Sequence, residues 1–158
     1  MFDRISEFRE FCKYVEYRRL WLIPLAKNSK RPLKGFKFTE QKINKSKAQD
    51  YLAKGYNVGI VAKPDKLCFI DVDNPSLIEK YRLNKLNTLV VKTPKGYHYY
   101  FYNCGLRCNF LGNGIELRCY NMYVVAPGSV VDGKMYRVIN HAKPLPITEV
   151  IKNAKEKL

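Results

Sequence analysis

Two carboxylates set the chemistry of this chain. Asp71 and Asp73 stand two residues apart in Lys66-Leu67-Cys68-Phe69-Ile70-Asp71-Val72-Asp73-Asn74-Pro75, a short apolar run stopped by Asn-Pro. The run reads as a strand. Side chains alternate across a strand, so Asp71 and Asp73 share one face while Cys68, Ile70 and Val72 share the other. Two residues of strand set the Cα atoms roughly 6.5–7 Å apart. Carboxylates leaning together from that spacing can hold one or two divalent ions; without a cation they repel and resist burial. An acidic turn at a strand end is the simpler reading of this stretch alone.

Other stretches add to the pair. On the strand Tyr97 to Tyr102, His98, Tyr100 and Tyr102 share a face with Gly96, and Tyr97, Tyr99 and Phe101 lie on the opposite one. A lone strand His is commonly a packed or surface residue. Here Gly96 removes bulk beside it, where a ligand could approach the backbone. The turn Gly112-Asn113-Gly114 feeds Ile115 to Cys119, with Glu116 and Arg118 on one face and Ile115 and Leu117 on the other. Residues 26–35 form a loop with Lys27, Lys30, Arg31 and Lys34, readable as a solvated loop or as a clamp for phosphates.

These residues need elements to position them. Residues 3–20 read as a helix capped by Asp3, with Ile5, Phe8, Cys12 and Val15 as its apolar stripe and a basic end at Arg18-Arg19. Trp21 to Leu25 reads as a short strand that Pro24 places at a sheet edge or strand end. Thr39 to Lys54 reads as one helix or two short ones, ending at Gly55. Asn57 to Val61 is a strand, and the Pro64 turn after it suggests a hairpin with the Asp71 strand. Pro75 to Asn84 reads as a helix capped by Asn74. Leu89 to Thr93 and Tyr120 to Ala126 are strands, and Val130 to Val138 is a hairpin turned at Asp132-Gly133. Pro144 and Pro146 precede a basic helix from about Ile147 to Leu158, which could lead toward a further domain.

The 158 residues suit one domain. Lys and Arg total 29 against 14 acids, a net charge of +15 that favours a polyanionic partner, nucleic acid above anionic membrane. Twelve Tyr, eight Phe and one Trp supply faces on which bases could stack, although most such rings belong to cores. The charged start Met1-Phe2-Asp3-Arg4 lacks a signal-peptide core, and no apolar run is long enough to span a bilayer. The expectation is a soluble, intracellular, cytoplasmic protein with no membrane partner. Five Cys is an odd number, so reduced thiols are expected. Cys104, Cys108, Cys119 and His141 offer four zinc ligands, but their spacing is loose, and packed thiols are the expectation over structural Zn²⁺.

Four stretches fit one pattern in order: Phe69 to Asp73, Thr93 to His98 with the strand after it, Gly114 to Arg118, and Tyr123-Val124-Val125-Ala126-Pro127-Gly128-Ser129. With Trp21 to Pro24, Lys30 to Pro32 and Asn57 to Ile60, the pattern covers roughly residues 20–140. It resembles the bifunctional primase–polymerase (prim-pol) domain of the archaeo-eukaryotic primase superfamily. The resemblance implies an α+β fold in one catalytic domain, 1–158. Its RRM-like sheet, about residues 66–145, would carry the acidic strands on its open face with helices behind. A smaller N-terminal αβ unit, about residues 1–65, would close the cleft.

The resemblance also assigns roles. Asp71 and Asp73 match the acidic pair, Gly96-Tyr97-His98 the small-x-His motif, and Glu116 the third acidic position, more usually Asp. The three acids would be the catalytic ligands of two Mg²⁺ or Mn²⁺ ions. Nucleotidyl transfer fits these types, because two hard cations about 3.5–4 Å apart activate a 3′-hydroxyl and neutralise pyrophosphate. His98 would contact phosphates or sugar, and Arg118 would brace the triphosphate. Gly96, Lys95 and Ser129 are further nucleotide-binding candidates, and Lys30, Arg31 and Lys34 are candidates for template or phosphate. The implied activity is primer synthesis and extension from nucleoside triphosphates on single-stranded DNA, in plasmid or viral replication, with a helicase domain or protein as a further partner.

Two other classes compete. Asp-x-Asp also marks metal-dependent nucleotide-sugar glycosyltransferases, but that reading leaves His98, Glu116 and the charge unexplained. A non-catalytic module for single-stranded nucleic acid explains the charge but not the carboxylates.

Overall fold

Two sheets face each other across a shared apolar layer in the computed structural model, which describes residues 3–150. In chain order the elements are α1 (Arg4–Cys12), β1 (Leu22–Leu25), α2 (Lys45–Ala53), β2 (Asn57–Val61), β3 (Leu67–Val72), α3 (Ser76–Lys80), β4 (Val90–Lys92) and β5 (Tyr97–Tyr102). Then come β6 (Phe110–Leu111), β7 (Ile115–Arg118), β8 (Tyr123–Val125), β9 (Val130–Val131), β10 (Lys134–Met135), β11 (Arg137–Asn140) and β12 (Leu145–Pro146). The large sheet runs β11-β4-β5-β3-β7-β6, with β12 parallel to the end of β5. The small sheet runs β1-β2-β8. Apart from β12 the pairings are antiparallel, so the expected α+β class holds.

The first helix is shorter than its stripe suggests. Asp3 caps it as expected, accepting a hydrogen bond from Ile5 N at 3.0 Å. It stops at Cys12, and Tyr17–Arg19 forms a separate 3₁₀ turn. A helix this short buries Phe8 and Phe11. Glu7 Oε1 accepts from Val138 N at 2.8 Å, so α1 also covers the exposed edge of β11.

The second helix begins at Lys45 rather than Thr39, capped by Asn44 Oδ1 on Lys47 N at 2.8 Å. The residues ahead of it are tied elsewhere. Ile43 bridges to Leu22, and the carbonyls of Phe38 and Gln41 both accept from the Trp21 indole at 3.0 Å. The helix expected over Pro75–Asn84 is α3 followed by a 3₁₀ turn at Leu83–Lys85, with Asn74 Oδ1 accepting from Ser76 N.

The expected hairpin of β2 with β3 does not form. β2 is buried along its whole length and pairs on both edges, with β1 and with β8. It has no edge left for β3, which inserts between β5 and β7 in the other sheet. Because β8 comes from residues 123–125, the smaller unit is not confined to about the first 65 residues. Pro24 lies on edge strand β1, where its missing N–H costs nothing. The β9-β10 turn is Asp132-Gly133, both with positive φ (52° and 74°), the mirror-image turn that Gly accommodates.

Strand alternation divides the large sheet's side chains. Phe69, Tyr100 and Val91 meet Ile23, Ile60 and Val124 of the small sheet. Phe69 and Tyr100 pack edge to face at 4.8 Å. Cys68, Ile70, Val72, Tyr99 and Phe101 form a second layer behind. Each large buried side chain contributes about 1.5–3 kcal/mol. Most of the expected C-terminal helix lies outside the described residues; Ile147, its first residue, is buried in the second layer. Among the described residues no helix is long and apolar enough to cross a membrane.

Candidate active site

The site begins with register. β3 is central, and Asp71 lies directly opposite His98 on β5 and Glu116 on β7. Residues opposite each other in a ladder point to the same side, so the three candidate side chains form one row across three strands. That side faces the cleft between the two sheets. A cavity of about 400 Å³ opens there, lined by Asp71, His98, Arg118, Tyr123, Tyr136 and Lys30 among others.

Arg118, two residues after Glu116, organises the row. Its Nη2 stands 3.1 Å from Asp71 Oδ2 and 2.8 Å from Glu116 Oε2, and its Nη1 donates to Tyr123 O at 2.6 Å. His98 Nε2 is 3.4 Å from the other Asp71 oxygen, Oδ1. The Asp71 side chain is only 12% exposed, with the Arg118 guanidinium beside one oxygen and the His98 imidazole beside the other. Burial pushes its carboxyl up, but the hydrogen bond and electrostatic attraction of His98, with the positive charges of Arg118 and Lys30, outweigh burial. The result lies below the ordinary value of 3.8, so Asp71 is ionised at neutral pH.

His98 is buried, and its Nδ1 has no hydrogen-bond partner among the described residues. Its ring lies 6.0 Å from that of Tyr136. The Tyr136 hydroxyl is pushed up to about 12, first by burial and then by the charges of Asp71 and Asp73. It is therefore a neutral phenol that can donate a hydrogen bond into the cavity.

Asp73 lies just past the end of β3 and is exposed, its amide bonded to Gly114 O at 2.9 Å. Gly96 does not open space for a ligand. A Cβ there would strike the carbonyl of Val72, so the missing side chain admits the end of β3 itself. Lys95 is exposed in the turn before β5. Ser129 is fully buried beneath the small sheet, its hydroxyl accepting from Val58 N at 3.0 Å and donating to Val58 O at 3.2 Å. That hydroxyl is structural and does not line the cavity. Lys30 does line it, and its loop is pinned by Tyr123 Oη donating to Lys30 O at 2.7 Å. Asn57 Nδ2 holds the same loop through Ser29 O at 3.0 Å. Arg31 and Lys34 are exposed on that loop.

Sequence alone did not single out Tyr123, Tyr136, Asn121 or Met122 as cavity residues. The β2–β8 pairing brings Asn121, Met122 and Tyr123 to the cleft, and backbone hydrogen bonds with Gly128 and Ser129 place Tyr136 there. Of the four zinc candidates, Cys104 and Cys108 are exposed, Cys119 is buried with Cys68 in the back layer, and His141 packs on Tyr14 at 5.6 Å. Among the described residues no three His, Cys, Asp or Glu side chains are grouped to hold a metal ion.

No curated protein matches the chain. The family model described as bifunctional DNA primase/polymerase, N-terminal (Prim-Pol), matches residues 13–150. That span includes the row Asp71, His98 and Glu116, the cavity residues and both sheets, and the chain belongs to the Prim-Pol family.

Proposed function

We propose that the cavity binds a nucleoside triphosphate beside divalent cations and transfers its nucleotidyl group to a primer paired with a single-stranded DNA template. The observation that carries this reading is the Asp71–Arg118–Glu116 bridge at the floor of the cavity. One guanidinium nitrogen lies within ion-pair distance of two carboxylates on neighbouring strands, a place where positive charge is demanded. By donor chemistry Asp71, Glu116 and the exposed Asp73 suit Mg²⁺ or Mn²⁺, since they offer only hard oxygens. Among the described residues the three are not grouped around one point, and Arg118 stands between two of them. When bound, the cations would lower the pKa of the 3′-hydroxyl and neutralise the leaving pyrophosphate.

The chain's own groups supply the rest. Asp71, held ionised, is ready as a ligand without first losing a proton. Once other cations satisfy Asp71 and Glu116, Arg118 is free to brace the triphosphate, and Lys30 adds charge from the opposite wall. His98 positions a phosphate or the sugar from the inner end of the row. In the reaction the 3′-oxygen bonds the α-phosphorus and the bond to the β-phosphate oxygen breaks. The hydroxyl proton passes to solvent, and pyrophosphate leaves.

The test is primer synthesis and extension on single-stranded DNA with labelled ribo- and deoxyribonucleoside triphosphates. Each mixture is run with Mg²⁺, with Mn²⁺ and with chelator. Template-dependent products that vanish with chelator support the reading. Incorporation indifferent to template or to chelator refutes it.

A further inference from the structure

A second basic and aromatic surface starts where the active-site cavity ends. Asn121 and Phe38 line that cavity. Lys63 Nζ donates to Asn121 Oδ1 at 2.6 Å and to Thr39 O at 2.8 Å, which places its ammonium over the Trp21 ring at 4.4 Å. Lys42 stands over the same ring at 5.1 Å. Lys42 also lines a separate cavity of about 470 Å³, together with Tyr17, Arg18, Asn44 and Lys66. Beside it Lys45 lies over the Tyr17 ring at 5.1 Å, and Tyr17 is 52% exposed.

Cations and aromatic rings thus recur from the active-site cavity toward Tyr17, with Lys63 and Lys42 at Trp21 and Lys45 at Tyr17. Trp21 is a fixed platform, since both bonds of its indole N–H go to backbone carbonyls. Lys66 is held to the Arg18 carbonyl at 2.8 Å, so its charge is fixed beside the second cavity. Arg18, Lys42, Lys45, Lys63 and Lys66 outnumber the neighbouring acids Glu16 and Asp65, and Glu16 is already paired with Arg18 at 2.7 Å. Charges at intervals match a phosphate backbone, and ring faces between them match unstacked bases, which a duplex does not offer. A membrane surface would want aliphatic side chains to insert. The exposed aliphatic residues Leu111 and Ile139 lie on β6 and β11 instead.

We propose that the Trp21–Tyr17 shelf carries single-stranded nucleic acid as it leaves the active-site cavity, with phosphates on Lys42, Lys63 and Lys66 and bases against Trp21 and Tyr17. The proposal rests on the reading of that cavity as a nucleotidyl-transfer site. It assigns a surface distinct from the loop of Lys30, Arg31 and Lys34.

Trp21 is the single tryptophan, so its emission reports this site alone. Oligothymidylate long enough to run from cavity to shelf is expected to quench it, and a nucleoside triphosphate alone is not. Tyr17→Ala and the pair Lys42→Glu with Lys66→Glu should each weaken long oligothymidylate by roughly tenfold or more. Tyr17→Phe should keep the affinity. The double charge variant should also flatten the salt dependence by roughly 0.7 per lysine removed. Nucleoside triphosphate affinity should not change in any of them, which also shows that they fold.

Unchanged oligothymidylate affinity in the Tyr17→Ala and charge variants, or saturation without any change in Trp21 emission, overturns the shelf. If those variants bind normally and the wild type incorporates nucleotide, the shelf is wrong and the catalytic reading stands. If the wild type quenches and binds as described but incorporates nothing, the catalytic reading fails and the shelf stands. A wild type that binds no oligothymidylate overturns the shelf outright.

Discussion

Arg118 and Asp71, on neighbouring strands of the large sheet, are joined by an ion pair of 3.1 Å across the floor of the cavity. The same guanidinium reaches Glu116 and the Tyr123 carbonyl. Lysine cannot reproduce this, because one ammonium lacks the fork that spans three acceptors. Arg118→Lys is therefore expected to lower kcat/KM for nucleotide incorporation roughly ten- to a hundredfold, from about 1.5–3 kcal/mol per hydrogen bond to a charged group. Steady-state kinetics in nucleoside triphosphate check this, and a variant with wild-type kcat/KM contradicts it.

Tyr123 tests whether the basic loop acts from a fixed position. Its hydroxyl holds the Lys30 carbonyl at 2.7 Å. Tyr123→Phe keeps the ring and its edge-to-face contact with Phe38 while losing that bond, worth about 0.5–1.5 kcal/mol. A loosened loop should raise KM for the triphosphate severalfold and leave kcat nearly unchanged. A fall in kcat at constant KM would show a different role.

Gly96→Ala separates close packing from ligand access. The added methyl meets the Val72 carbonyl at the end of β3, next to the acidic pair. Overpacking of this kind costs about 1–3 kcal/mol, read as a lower denaturation midpoint in urea. An unchanged midpoint with weakened nucleotide binding would restore the ligand-access reading.

The faces of the strands were legible in the sequence and their partners were not. Alternation is local, so it placed Asp71, His98 and Glu116 correctly relative to Ile70, Tyr99 and Leu117. It could not say that β3 inserts between β5 and β7, nor that β2 is closed on both edges, and so the nearest pairing in sequence was the wrong one. Ser129 and Gly96 carry polar or turn-forming chemistry that reads equally as ligand contact or as packing. Only the contacts of Val58 and Val72 decide between them. The Arg118 bridge escaped for a related reason. Sequence put Arg118 on the right face but not within reach of Asp71, which lies one strand over and diagonal to it.

Cys12 gives a pH dependence away from the site. Burial pushes its thiol from 9.0 up to about 11, with Lys45 opposing in part. The folded chain thus holds this proton more tightly than the unfolded chain. The associated stability is fully present below pH 9 and is lost as pH rises through about 11. Cys12→Ala should remove that alkaline slope, of the order of 2 kcal/mol. Urea midpoints from neutral to alkaline pH measure it, and an identical slope in the variant contradicts the assignment. At pH 8 alkylation should reach the exposed Cys104 and Cys108 well before Cys12.

The carboxylate row is tested most directly by single-turnover primer extension with Asp71→Asn in saturating Mn²⁺ and nucleoside triphosphate. Asparagine keeps the size of the side chain and removes the charge that a divalent cation needs. The expected result is a fall in rate of roughly a hundredfold or more, with the near-ultraviolet circular dichroism of the fold retained. Extension at the wild-type rate would mean that Asp71 is not a ligand of the reaction and that the chemistry happens elsewhere.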